Sequence, residues 1–295
     1  MRDYNVFMLK NIKILHIFLV LMLIFAGSAS ASNGRGGAEE GGGRTVRIPR
    51  DAEQISENVY RLRPTRDRET DLMVEGYLIV HYRENEGAAR RTAFSHRSNN
   101  ARQKQESCYG FMASGAKWKT IEPWVVNPAN TYGLTDSFVL ATLANGIAKW
   151  EDAADGFVGN GGSIDILGNG VTTSTPLVAD EIQTDNLNEV YFAPLEEGTI
   201  GVTIVWGVFR GPTFQRRLVE WDQVYNSFYS WSGEGEADKM DLNNIVTHEL
   251  GHSVGMADLY STSCAEETMF GYATEGETKK RDLNTGDIKG VSTLY

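Results

Sequence analysis

The chain has 295 residues, 41% of them hydrophobic and 10% aromatic, enough for one sizeable domain plus an accessory segment. Its formal net charge of -11 argues against a nucleic-acid partner, because an acidic chain repels phosphate. The composition is otherwise that of an ordinary acidic globular protein.

Residues 1–31 read as a signal peptide. Lys10 and Lys13 supply the positive flank, Ile14 to Phe25 the apolar run, and Ala29-Ser30-Ala31 a small-residue cleavage pattern. The run is short for a membrane span. The expectation is export, to the extracellular space or cell surface, with no stable membrane span after signal removal; an uncleaved N-terminal anchor is the alternative. Residues 32–44 form a glycine-rich linker without apolar periodicity, expected to be disordered. Residues 45–84 read as a small N-terminal (pro)segment, with strands at Val59–Leu62 and Gly76–Tyr82 forming a hairpin unit. His81 alternates with Val80 and Tyr82, which puts it on one strand face; as a lone histidine it is a weak ligand candidate. Residues 85–116 are a polar connector with the dibasic pair Arg90-Arg91. It is either a place where a prosegment is cut away or a solvated linker.

Residues 117–295 carry the pattern of an α/β domain. Lys117–Asn127 reads as a strand, and Asn127-Pro128-Ala129-Asn130 as a turn. Thr135 or Asp136 then caps a long helix, with Phe138, Val139, Leu143, Ile147 and Trp150 at helical spacing. Ile164–Leu167, Glu189–Phe192, Thr199–Phe209 and Arg217–Tyr225 read as further strands. Together they predict a mixed twisted sheet of about five strands backed by the long helix. Asp152, Asp155, Asp165, Asp180 and Asp185 could contribute to a calcium site, since calcium prefers clustered oxygen ligands; scattered surface aspartates are the commoner explanation.

The stretch DLNNIVTHELGHSVGMADLY, residues 241–260, carries the chemistry. Leu242, Ile245, Val246, Leu250 and Val254 make an apolar helical stripe, and Asp238 or Asp241 can cap it. His248 and His252 lie four apart, so both imidazoles can reach one metal ion from one helix face. Glu249 sits about a quarter-turn round, where a carboxylate could take a proton from an activated water. Gly255 accepts the left-handed conformation that reverses the chain, which lets Asp258 swing back toward the histidines.

The pattern His248-Glu249-x-x-His252-x-x-Gly255-x-x-Asp258 resembles the metzincin zinc signature, with Asp in the last position as in the snapalysin-type variants. The segment Glu267–Tyr272 resembles the methionine turn, which implies that Met269 packs under the metal. The tail from Asp282 to Tyr295 resembles the short terminal helix of matrixin-type catalytic domains, and Lys117–Asp152 resembles their opening strand and helix. The resemblance implies an α+β metzincin-like fold: sheet, backing helix and zinc-binding helix above a small C-terminal subdomain. It implies zinc held by His248, His252 and Asp258, with Glu249 as the catalytic base. It also implies a substrate laid as an added strand along a sheet edge above the metal, with the wall of the next pocket around Phe270–Glu277. Tyr260 or Tyr272 could donate to a developing oxyanion, or be ordinary core aromatics.

Cys108 and Cys264 are the only cysteines. Export permits a disulfide between them; the other reading is a thiol switch in which Cys108 blocks the zinc. The leading functional expectation is a secreted zinc endopeptidase acting on protein or peptide substrates. The alternatives are a non-catalytic exported zinc-containing binding or surface protein, and a zinc hydrolase in which Asp282 or Asp287 completes the site.

Overall fold

The computed structural model describes residues 42–84 and 107–295. The signal peptide, residues 32–41 of the linker and residues 85–106 of the connector lie outside the described residues. The described residues form one unit.

Its centre is a mixed ten-stranded sheet. In chain order the strands are β1 (Glu53–Gln54), β2 (Val59–Arg61), β3 (Thr65–Arg66), β4 (Met73–Arg83), β5 (Trp124–Asn127), β6 (Gly170–Thr172), β7 (Asn188–Ala193), β8 (Thr199–Val208) and β9 (Arg217–Asn226). A separate parallel pair, β10 (Trp231–Ser232) and β11 (Met240–Asp241), precedes the second helix, and β12 (Tyr272–Ala273) joins the main sheet late in the chain. The path through the sheet runs β1-β2-β4-β8-β9-β7-β5-β6, with β3 and β12 paired to β4. The parallel strands β5, β7 and β9 are fully or almost fully buried, as parallel strands covered on both faces must be. Strand β8 runs antiparallel to β9 on one side and to β4 on the other.

Among the described residues three helices follow the expected order. Helix α1 spans Asp136–Ala153 and is capped by Thr135, whose side chain accepts from Phe138 N. Val139, Leu143, Ile147 and Trp150 turn one stripe of it into the core. Helix α2 spans Leu242–Ser253; the Asp241 side chain accepts from Asn244 N and so satisfies one of the orphan amides of its first turn. Helix α3 spans Thr285–Leu294 and opens on a capping box between Asn284 and Asp287. The indole of Trp150 donates to Thr247 O at 2.8 Å and so ties α1 to α2. Leu143, Ile147, Val246 and Leu250 fill the space between helices and sheet, each contributing about 1.5–3 kcal/mol by burial. A second core, with Leu62, Leu78, Val80, Val202 and Trp206, covers the opposite sheet face. No helix among the described residues is long and apolar enough to cross a membrane.

Three expectations need correction. Residues 45–84 are not a separate hairpin unit: β4 is an eleven-residue strand inside the main sheet, which is why the sheet has ten strands and not about five. Residues 42–44 are not loose linker, because Gly42 N donates to Phe192 O and Arg44 N to Leu177 O. Ile164–Leu167 is not a strand. The amides of Ile166 and Leu167 donate to the Glu151 carboxylate at 2.8 and 3.0 Å, which binds this segment to the end of α1, and the sheet edge is supplied by β6 instead.

Candidate metal centre and its surroundings

Helix α2 presents His248 and His252 on one face, both buried. Each ring is held through Nδ1, which leaves Nε2 available: His248 Nδ1 donates to Thr268 O at 2.7 Å and His252 Nδ1 to Met256 O at 3.0 Å. Gly255 has φ +105°, a conformation that L side chains rarely adopt, and it reverses the chain directly after the helix. The reversal brings Asp258 Oδ1 to 3.2 Å from His248 Nε2 and 3.5 Å from His252 Nε2. These three atoms are buried and none makes a hydrogen bond among the described residues. Two imidazole nitrogens and a carboxylate oxygen, each orphaned and converging, fit a zinc ion with one position left for solvent or substrate. Burial pushes the Asp258 carboxyl up, but His252 and His248 outweigh it and hold the group well below the usual carboxylate range.

Met269 packs against α2 at Gly251. A Cβ on Gly251 would stand 2.1 Å from its Sδ and 2.7 Å from Trp150 Cζ2, so the helix can approach the methionine only because position 251 is glycine. The turn around Met269 is fixed from α3: Asp287 accepts from Thr268 N at 2.7 Å and Met269 N at 3.1 Å. Asp287 is thus committed to backbone, and Asp282 faces solvent beside Lys149. Neither of these distant carboxylates joins the histidines.

Glu249 is buried on the sheet side of α2. Its Oε2 accepts from Thr203 Oγ1 of β8 at 2.5 Å. Its Oε1 is bound by His81 Nδ1 of β4 at 2.9 Å. Burial raises the Glu249 carboxyl above its ordinary value, against the pull of His248 and His252. Burial and then Lys280 push His81 down to about 3, so its imidazole is neutral. The His81 ring also packs on that of His248, with centroids 4.1 Å apart. Sequence reasoning undervalued His81, because a lone strand histidine carries no spacing signal; only the pairing of β4 with β8 brings it here.

Asn58, just before β2, was likewise missed: its Nδ2 donates to Asp258 Oδ2 at 2.6 Å. Tyr272 donates to Glu57, and Tyr260 lies against Asp258, where burial and that charge hold its phenol well above the ordinary range. A cavity of about 180 Å³ between Val59, Ile79, Phe111 and Met112 reaches His252 and Asp258. Cys108 and Cys264 are joined in a disulfide, which removes the thiol-switch reading.

Of the five aspartates considered for calcium, the structure brings Asp180 and Asp185 together with Glu220, which was not anticipated. Asp152 and Asp155 accept from loop amides at Gly159 and Phe157, and Asp165 is not part of the cluster.

Residues 163–295 match the family model described as Matrixin. The matched stretch runs from before β6 to the C-terminus and includes α2, Asp258 and Met269. The match supports a matrixin-like metzincin catalytic domain and with it a zinc metallopeptidase, a hydrolase with protein or peptide substrates. Comparison with curated proteins finds no match.

Proposed function

We propose that this protein is an exported zinc endopeptidase with a snapalysin-type ligand set: His248, His252 and Asp258. The observation that carries the reading is the convergence of three buried donor atoms that have no hydrogen-bond partner among the described residues. Buried polar atoms are rarely left so unless something else satisfies them.

Bound zinc would polarise the scissile carbonyl and lower the pKa of the attacking water toward neutrality. Glu249, adjacent to His248 on α2, takes the proton from that water and passes it to the leaving amine. Thr203 orients the Glu249 carboxylate for this transfer. The family resemblance implies that an extended substrate is held by backbone hydrogen bonds to a strand near the metal, a mode that suits internal peptide bonds because it recognises any extended chain. Met269 supports the ligands from below and touches no substrate. The N-terminal apolar run and its small-residue cleavage pattern support export.

Calcium belongs to the same reading. Asp180, Asp185 and Glu220 offer oxygens within 4.8 Å of one another. Glu220 is fully buried and its Oε1 has no hydrogen-bond partner among the described residues, as is also true of Asp180 Oδ2. Packed carboxylates with orphaned oxygens need either protons or a cation, and an all-oxygen set suits calcium.

The test of the zinc reading compares the parent with Asp258→Ala and Glu249→Ala by zinc titration against a competing chelator. Asp258→Ala should lose more affinity than the roughly 10–100-fold that removal of an outer-shell partner costs. Glu249→Ala should keep zinc and lose peptide hydrolysis. Undiminished zinc affinity in Asp258→Ala would contradict the ligand set.

A further inference from the structure

Lys280 is buried, which is rare for a lysine unless it is paired. It lies in the short turn Lys279–Arg281, whose two outer side chains are partly exposed. The Lys280 ammonium donates to Tyr272 O of β12 and pairs with Glu277 Oε1 at 3.1 Å. The Lys280 amide donates to Asn244 Oδ1 at 2.7 Å, and Asn244 Nδ2 donates to the same Glu277 oxygen at 3.2 Å. Asn244 stands four residues before His248 on α2, so the two side chains share one helix face. The buried pair therefore sits roughly one helical turn from the first of the two histidines.

The charge reaches the metal centre. After burial, the Lys280 ammonium does most to hold the His81 imidazole neutral, more than Asp258 does to charge it. Asp258 acts on Lys280 in return, and Glu277 opposes the push of burial on the ammonium. Burial pushes the Glu277 carboxyl up, but Lys280, with Asn244 and Lys279, outweighs it and holds the group below its ordinary value. The pair is thus ionised. Stability alone gives little reason for it, because a buried ion pair is often no better than apolar side chains of the same volume. The metal centre gives a reason. Asp258 and Glu249 bring two carboxylates there, and a desolvated positive charge nearby weakens the potential that draws a cation in.

We propose that Lys280 is a positioning residue for the metal centre: its buried ammonium, held by Glu277 and by the Asn244 turn of α2, offsets the negative charge of Asp258 and Glu249. It holds down the affinity for the divalent cation and keeps that cation a stronger Lewis acid than the histidine and aspartate donors alone would. The proposal deepens the zinc reading and rests on it.

The test titrates zinc against a competing chelator in the full chain, as parent, Lys280→Met, Glu277→Gln and Lys280→Met/Glu277→Gln. Methionine keeps most of the lysine stem, and glutamine keeps the shape of Glu277. Lys280→Met should bind zinc about tenfold or more tighter, Glu277→Gln should bind it weaker by a similar factor, and the double variant should lie within about threefold of the parent. A pair that only held the fold together would lose affinity in all three, along with thermal stability. With an extended peptide, Lys280→Met should lower kcat and leave KM unchanged. Opposite zinc shifts without hydrolysis by any of the four would keep the proposal and refute the peptidase reading. Unchanged or weaker zinc binding by Lys280→Met, beside a parent that binds zinc, would overturn the proposal alone. A parent that binds no zinc would refute the ligand set and the proposal with it. Should Lys280→Met misfold, Glu277→Gln decides: weaker zinc binding with native circular dichroism supports the proposal, and unchanged binding overturns it.

Discussion

Asn58 and Asp258 lie 200 positions apart, and the amide of one donates to the carboxylate of the other at 2.6 Å. The contact divides the work of the Asp258 carboxylate. Oδ2 is anchored by Asn58, and Oδ1 faces the two histidines. A ligand oxygen fixed by an outer partner loses less freedom when it binds a metal. Asn58→Ala in the full chain should therefore weaken zinc affinity by about 10–100-fold, measured by chelator competition. Unchanged affinity would mean that Asn58 fastens the N-terminal segment without orienting the ligand.

Gly251→Ala tests the packing of Met269 against α2 at the candidate metal centre. The added methyl would meet Met269 Sδ at 2.1 Å and Trp150 at 2.7 Å, both in a filled core. Overpacking of this kind costs about 1–3 kcal/mol, and chemical denaturation should register it. Met269→Leu is close in volume and should cost less than about 1.5 kcal/mol, with zinc binding preserved.

Asp287→Ala would strand the amides of Thr268 and Met269, which its two oxygens now satisfy. Each buried amide left without an acceptor costs about 1–3 kcal/mol. The thermal midpoint should fall, and zinc affinity should fall with it, because Thr268 O orients His248. A stable variant with normal zinc affinity would show that the turn holds itself.

The disulfide between Cys108 and Cys264 spans 156 positions. In the chain-entropy account a loop of that size stabilises by up to about 5 kcal/mol. Replacement of both cysteines by serine should lower the thermal midpoint without releasing zinc, since the two sulfurs are bonded to each other and neither belongs to the convergent donor set. An intact mass two hydrogens below the reduced form checks that the bond is present.

The acidic cluster gives a pH dependence with a definite sign. Glu189 of β7 is not one of the three clustered carboxylates but feels the charges of two of them: burial, and next the charge of Asp185, with Asp180 adding to it, push its carboxyl up to about 8. A carboxyl whose folded pKa is raised favours the folded state when protonated. Its contribution is complete below the unfolded value of about 4.3 and is lost as pH rises through the folded value. In zinc-supplemented, calcium-free buffer the thermal midpoint should therefore fall as pH rises from about 5 to 8. Added calcium should restore it most at the alkaline end, because it binds the ionised cluster. A calcium effect that is equal at both ends of the range would remove the site.

Much of the catalytic half was legible in the sequence. Helix α2, its Asp241 cap and the reversal at Gly255 follow from local rules that tertiary context did not override. The long helix α1 and strands β7, β8 and β9 announced themselves by period and by β-branched composition. What the sequence hid was non-local. Nothing in the alternation of Val80, His81 and Tyr82 says which strand β4 pairs with, and that pairing decides whether His81 faces solvent or Glu249. Ile164–Leu167 failed for a related reason. Its apolar residues are buried as a strand's would be, but a side-chain carboxylate from α1, and not a neighbouring strand, takes up its amides.

The most direct measurement of the central claim is hydrolysis of a mixed peptide library by the zinc-loaded protein, beside the same preparation carrying Glu249→Ala at equal zinc content. Cleavage at internal bonds by the first and none by the second is the predicted result. Absence of cleavage in both, with zinc bound and the cleft open to a peptide hydroxamate, would contradict the account.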